Sequence, residues 1–130
     1  MTLEEAREFF KGDKFACDCL GAVIEEVGDG YSRISMKVED SHRAAHGGVM
    51  GGALFTLADF AFAVACNTPD SLTVTATSNI NFLSRAKTDK ITAECRRIRN
   101  GRRVCFCETT VKDSDGNIVA TVSAAGAHMK

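Results

Sequence analysis

The sequence predicts an α+β fold, an antiparallel sheet curled around one long helix, from two observations. Between Val49 and Cys66 only Thr56 and Asp59 are polar, and the Ala, Leu, Met and Phe there favour a helix of about five turns, apolar on every side. Strand-like runs precede it, and from Ser71 onward Thr, Val and Ile recur between tight turns. A helix apolar all round has to be wrapped. One curled sheet cannot cover it completely, so a second copy of the chain is expected on the remaining face. The length approaches the ~17–20 residues of a membrane span, but Asp59 would then lie deep in hydrocarbon, which argues for a core helix and no membrane partner. At 130 residues the chain makes one domain, spanning 1–130.

Thr2-Leu-Glu-Glu5 has capping-box spacing, which predicts a short helix to about Lys11, ended by Gly12, with Phe9 and Phe10 turned inward. Leu20–Val27 and Tyr31–Val38 flank Gly28-Asp-Gly30 and read as a hairpin. In the second run Ile34, Met36 and Val38 alternate with Tyr31, Arg33, Ser35 and Lys37, as a half-buried strand requires. Glu39 to Gly48 is a polar loop holding His42 and His46 and feeding the central helix, which ends at Asn67-Thr-Pro-Asp70 with the only proline. Three or four long strands then fill Leu72–Leu83, Ile91–Arg99, Val104–Val111 and Ile118–His128. Turn signals at Asn100-Gly-Arg-Arg103 and Asp113-Ser-Asp-Gly-Asn117 make them antiparallel neighbours, with no further helix.

Sixteen basic against seventeen acidic residues point away from nucleic acid as a partner. The N-terminal stretch is acidic and amphipathic rather than basic then apolar, so no export signal is read and a cytoplasmic location is expected. Six cysteines, at Cys17-x-Cys19, Cys66, Cys95 and Cys105-x-Cys107, are then expected to be reduced thiols. Neither pair has the C-x-x-C spacing of common zinc and redox sites, and strand alternation puts Cys105 and Cys107 on one face. That pair reads as core filling, and no metal is expected.

Asp59 is the first candidate for chemistry, because a carboxylate on so apolar a helix needs a partner or a purpose. The plainer alternative is an Asp that reaches solvent at a groove or bonds Thr56 one turn earlier. Gly47-Gly48 and Gly51-Gly52 bracket the helix start, where unpaired N–H groups carry the positive end of the helix dipole and can hold a carbonyl or an oxyanion. Gly51 and Asp59 are separated by ~12 Å along the helix axis, too far to address one carbonyl within a single chain. If they cooperate, they do so across a symmetric dimer.

Met50-Gly-Gly-Ala-Leu-Phe-Thr-Leu-Ala-Asp59 resembles the HGG-x-x-x-x-x-x-D helix signature of hotdog-fold acyl-CoA thioesterases, in the phenylacetate-pathway (PaaI-like) group. The likeness continues through Phe60-Ala-Phe-Ala-Val-Ala-Cys-Asn67 and into Asn79-Ile-Asn-Phe-Leu-Ser-Arg-Ala86, and so covers most of the chain. It implies a hotdog fold and acyl-CoA hydrolysis; Phe55, Phe60, Phe62 and Phe82 are candidates to line a pocket for a small, aromatic or medium-chain acyl group, their plainer reading being core. No cofactor is implied beyond the coenzyme A of the substrate, and the assembly implied is a homodimer or a dimer of dimers. It further implies that the Gly51 N–H polarises the thioester carbonyl while Asp59 of the partner acts as general base or as nucleophile. Thr75 falls where the family often has a hydroxyl that positions water.

The chain departs from that pattern at Met50, where the family usually has His, and at Ala44, where the loop often supplies Asn. Ser84-Arg-Ala86 also lacks the proline common in that loop. Either His46 compensates from the loop or carbonyl binding is weaker. His46-Gly-Gly48 is itself an HGG, but it would put Asp59 thirteen residues after the histidine instead of nine, so it is set aside as the signature. His46, Met50 and Gly52 remain substrate-binding candidates, and His128 is expected at the surface.

Between Arg85 and Arg103 eight basic residues face two acidic ones, a patch suited to the phosphates of coenzyme A, with Arg85 and Lys87 the strongest candidates. The plainer reading is the solvated face of strands with a charged turn. Two other functions compete with hydrolysis. One is a non-catalytic acyl-CoA-binding hotdog module, suggested by the missing Asn and His; the other is a hotdog dehydratase, whose acid would fall near Leu57, a residue that cannot act.

Overall fold

The computed structural model describes residues 1–129. Helix α1 (Leu3–Phe10) starts at the expected capping box, with Thr2 and Glu5 bonded reciprocally. Phe10 is buried against Phe60 of the central helix, but Phe9 is 45% exposed, because consecutive helical positions diverge by ~100° and cannot both face inward. After α1 comes a single π-helical turn, Phe15–Cys19, closed by the Leu20 N–H donating to Phe15 O at 3.0 Å. Nothing in the periodicity announces so short an element. It delays strand β1 (Val23–Gly28) to three residues beyond the expected Leu20.

Strand β1 and β2 (Tyr31–Lys37) form the predicted hairpin. Gly30 turns it with φ +68°, a left-handed conformation that suits glycine. The polar loop contains a 3-10 turn, Asp40–His42, and then helix α2 runs Gly51–Cys66, starting two residues later than expected. Strands β3 (Thr73–Phe82), β4 (Lys90–Asn100), β5 (Val104–Asp113) and β6 (Ile118–His128) follow. All pairings are antiparallel, in the order β1-β2-β4-β5-β6-β3.

This six-stranded sheet curls around α2, the hotdog arrangement. Ile34 and Met36 of β2, Ile91 and Ala93 of β4, and Val111 of β5 meet Leu57, Ala61 and Val64 of the helix in one core. Burial of this apolar area, at roughly 25 cal/mol per Å², is what holds the helix in place. The two sheet edges differ. Helix α1 packs over β1, with the Arg7 guanidinium donating to Ile24 O, whereas β3 pairs only with β6 and leaves its other edge open. Along β3 only Thr73 is buried, and Val74 and Phe82 are 41% and 55% exposed.

Candidate active site

The loop before α2 sets up an exposed helix start. Arg43 and Val49 bridge across the loop, and the Met50 N–H donates to His42 O at 2.8 Å. Met50 takes the N-cap position without a side-chain cap, and Ala53 and Leu54 are the first donors to its carbonyl, at 3.0 and 3.3 Å. The N–H groups of Gly51 and Gly52 therefore precede the hydrogen-bonded ladder and carry the positive end of the helix dipole. A Cβ at Gly51 would stand 3.0 Å from the Phe82 ring of β3, so a larger residue there would displace that ring. At Gly52 a side chain would meet open space.

Two clefts flank this helix start. The first, about 410 Å³, is apolar and lies beside Met50, Gly52, Ala53 and Thr56, walled by Phe15 and Cys19 of the π-helical turn and by Leu20 just after it. The second, about 570 Å³, is cationic: Arg43, His46, Arg85 and Lys87 line it together with Gly48 and Phe82. Arg43 is committed to Gly47 O and to the Asp89 carboxylate, at 3.0 and 3.3 Å. Among the described residues, neither Arg85 nor Lys87 enters a salt bridge within the chain. The His46 ring accepts from the Gly48 N–H at 3.3 Å and stays on the cationic side, away from Met50.

Asp113, at the end of β5, holds the loop that carries Arg85 and Lys87. One of its oxygens accepts from the Lys87 N–H and the Asn117 amide, the other from the N–H groups of Asp115 and Asn117. The Lys87 N–H first, and then the Asn117 donors, hold this carboxyl below the usual carboxylate range.

Asp59 lies two turns further along α2, on the side the sheet leaves open. Its partner is not Thr56, whose hydroxyl donates back to Gly52 O, but Thr75 of β3, whose hydroxyl donates to Asp59 Oδ1 at 3.2 Å. Asp59 also shares a shallow cleft with Asp13, Phe15 and Thr56. Burial, and after it the Asp59 charge, raises the Asp13 carboxyl above its ordinary value.

A family model, described as thioesterase superfamily, matches residues 46–120. The chain belongs to that superfamily. A putative esterase of Archaeoglobus fulgidus is 30% identical over 120 residues, 91% of this chain and 77% of the relative. The acyl-coenzyme A thioesterase PaaI of Escherichia coli is 34% identical over 80 residues, 62% of this chain and 56% of that protein. The solved structure of E. coli PaaI superposes with a TM-score of 0.89 at 22% identity, covering 100% of this chain and 97% of that one, which establishes the hotdog fold. The expected fold and family thus hold.

Within this thioesterase-superfamily chain the expected residues fall into separate groups. Asp59 and Thr75 meet; Met50 and Gly52 share the apolar cleft; His46, Arg85 and Lys87 share the cationic one; Gly51 lines neither but sits between Met50 and Gly52 of the first and against Phe82 of the second. The basic segment is not one patch. Arg97 binds Asp29, Arg96 binds Glu94 and stacks over Tyr31, and the turn after β4 lies some eleven residues, ~35 Å, beyond Lys90. Asp13, Phe15, Arg43 and Asp113 were missed. Arg43 is a lone cation in a polar loop and Asp113 reads as a turn residue, so neither carries a local signal; the π-helical turn has no periodicity to betray it.

Proposed function

We propose that this protein hydrolyses the thioester of an acyl-CoA with a small, aromatic or medium-chain acyl group, at sites shared between two copies of the chain. The observation that carries the reading is the position of the α2 start between a cationic and an apolar cleft, with Gly51 at the junction. A substrate laid across it puts its phosphates against Arg85 and Lys87, its carbonyl at the Gly51 N–H, and its acyl group against Phe15, Leu20 and Met50. The reaction needs no cofactor, since coenzyme A is part of the substrate, and it suits the cytoplasm, where acyl-CoA is made and used. No helix among the described residues is long and apolar enough to cross a membrane.

Asp59 of the other copy supplies the base or nucleophile. As a base it takes a proton from water held by Thr75, and the hydroxyl attacks the carbonyl carbon. Gly51 stabilises the resulting oxyanion, the C–S bond breaks, and the departing thiolate recovers the proton from Asp59. Two copies are required because Gly51 and Asp59 are ~12 Å apart on one helix. The long open edge of β3, with Val74 and Phe82 exposed, is suited to pairing with its own copy, which would close the face bearing Asp59.

Mixing tests this sharing. Asp59→Asn subunits and Gly51→Val subunits are each expected to be inactive, while their mixture recovers up to one working site per heterodimer, followed as free thiol released from acyl-CoA. A mixture as inactive as its parents, in heterodimers verified by mass, would place the site within one chain.

A further inference from the structure

Four cysteines from three elements converge at the C-terminal end of α2: Cys66 of the helix, Cys95 of β4, and Cys105 and Cys107 of β5, all buried. The sulfurs of Cys66, Cys105 and Cys107 lie within 4.8 Å of one another, and those of Cys66 and Cys107 are 3.3 Å apart. No other group of three His, Cys, Asp or Glu donors converges so closely among the described residues. Packing alone does not require this segregation. Elsewhere on the same core faces the buried positions are Ile91 and Ala93 of β4 and Thr109, Val111 and Asp113 of β5, and all the buried thiols are gathered at one end. Gly126 makes room for this layer: a Cβ there would stand 3.1 Å from Cys105 Sγ and 2.6 Å from the Phe62 ring.

We propose that Cys66, Cys105 and Cys107 form a three-coordinate thiolate site for a soft monovalent metal ion, Cu(I). Sulfurs on one ion at ~2.3 Å lie about 4.0 Å apart in a trigonal arrangement, within a few tenths of an ångström to an ångström of the spacing present. The donor set is sulfur only, which selects Cu(I) over harder ions. Zinc needs four ligands. Cys95 is buried nearby but is not among the three sulfurs that lie within 4.8 Å of one another, so the trio supplies three ligands.

An ion has a route inward. Cys66 lines a cleft of about 420 Å³ that opens beside Asn67, Thr73, Arg97 and His128. Arg97 lines the same cleft, its guanidinium held by Asp29 at 3.0 Å. Binding replaces S–H bonds by Cu–S bonds. The protons leave to solvent, copper remains Cu(I), and no electron is transferred.

The test is an anaerobic titration of the reduced protein with Cu(I) supplied as its bicinchoninate complex, read by loss of the chelator colour and by the luminescence of water-shielded Cu(I)–thiolate. One copper per chain is expected to move to the protein. Cys66→Ala should abolish the luminescence and weaken binding by more than the roughly 10–100-fold typical of losing an outer-shell partner. The double variant Cys17→Ser/Cys19→Ser should bind as the parent does. Circular dichroism checks that each variant is folded, and Cys107→Val replaces Cys66→Ala if that variant is not. Copper that stays with the chelator, zinc held as tightly as Cu(I), or binding that follows Cys17 and Cys19 rather than Cys66 overturns the proposal.

Discussion

Along α2, Leu57, Ala58, Ala61 and Val64 point into the curled sheet and are at most 1% exposed, whereas Gly52, Thr56, Asp59 and Ala63 on the opposite face remain partly or fully open. Both faces are cut from one almost uniformly apolar segment. The sheet-facing residues are the ones that make the helix stay. The open face holds the only two polar side chains of the helix, and it can do so because a carboxylate left near water avoids the desolvation cost of full burial. Core burial and the proposed chemistry thus fall on different faces of one helix, and a substitution on each should affect different measurements.

The largest expected effect is on the open face. Asp59→Asn keeps size and hydrogen bonding but removes the proposed base or nucleophile, so kcat should fall by about 10² to 10⁴ with melting temperature and assembly retained. Full activity in this variant would leave Asp59 as a solvated helix residue. On the closed face Leu57→Ala should instead cost about 2–5 kcal/mol of stability, seen as a lower denaturant midpoint, with kcat per folded molecule nearly unchanged. A variant that loses both together would mean that the two faces are not independent.

Smaller effects sharpen the division at the clefts beside the helix start. Arg85→Ala combined with Lys87→Ala should raise KM for acyl-CoA about tenfold while leaving a pantetheine thioester nearly unaffected, because only the nucleotide phosphates lose contacts. Equal losses on both substrates would mean that the pair acts through structure. The smallest effect concerns Asp113, which holds their loop from the sheet side. Its carboxyl is depressed in the folded state, so its contribution is present above the ordinary carboxylate value of about 3.9 and is lost as pH falls through the lower folded one. The melting-temperature gap between the parent and Asp113→Asn should therefore be full at neutral pH and close in acid. A gap independent of pH would rule out the charged form as the source.

Much of the fold was legible in local sequence. The capping box at Thr2-Leu-Glu-Glu5, the glycine turn at Gly28-Asp-Gly30 and the strands to either side of Asn100-Gly-Arg-Arg103 are short-range features, and each element appeared within a few residues of its expected place. The family likeness at Met50–Asp59 was readable too, because the nine helical residues Gly51–Asp59 keep a fixed spacing whatever surrounds them.

What surrounds them was decided by the tertiary structure. Thr75 meets Asp59 because the exit from α2 turns β3 back along the helix, a contact across sixteen residues. The eight cations between Arg85 and Arg103 look like one patch in sequence, but an extended strand carries its ends apart, leaving Arg85 and Lys87 to join Arg43 and His46 from another loop. The four buried thiols show the same limit most sharply. Alternation along β5 put Cys105 and Cys107 on one face, as expected, yet only the curl of the sheet around the helix end brings Cys66 to them and only the β4–β5 register sets Cys95 opposite Thr109, since sequence spacing encodes direction along an element and not what packs across it.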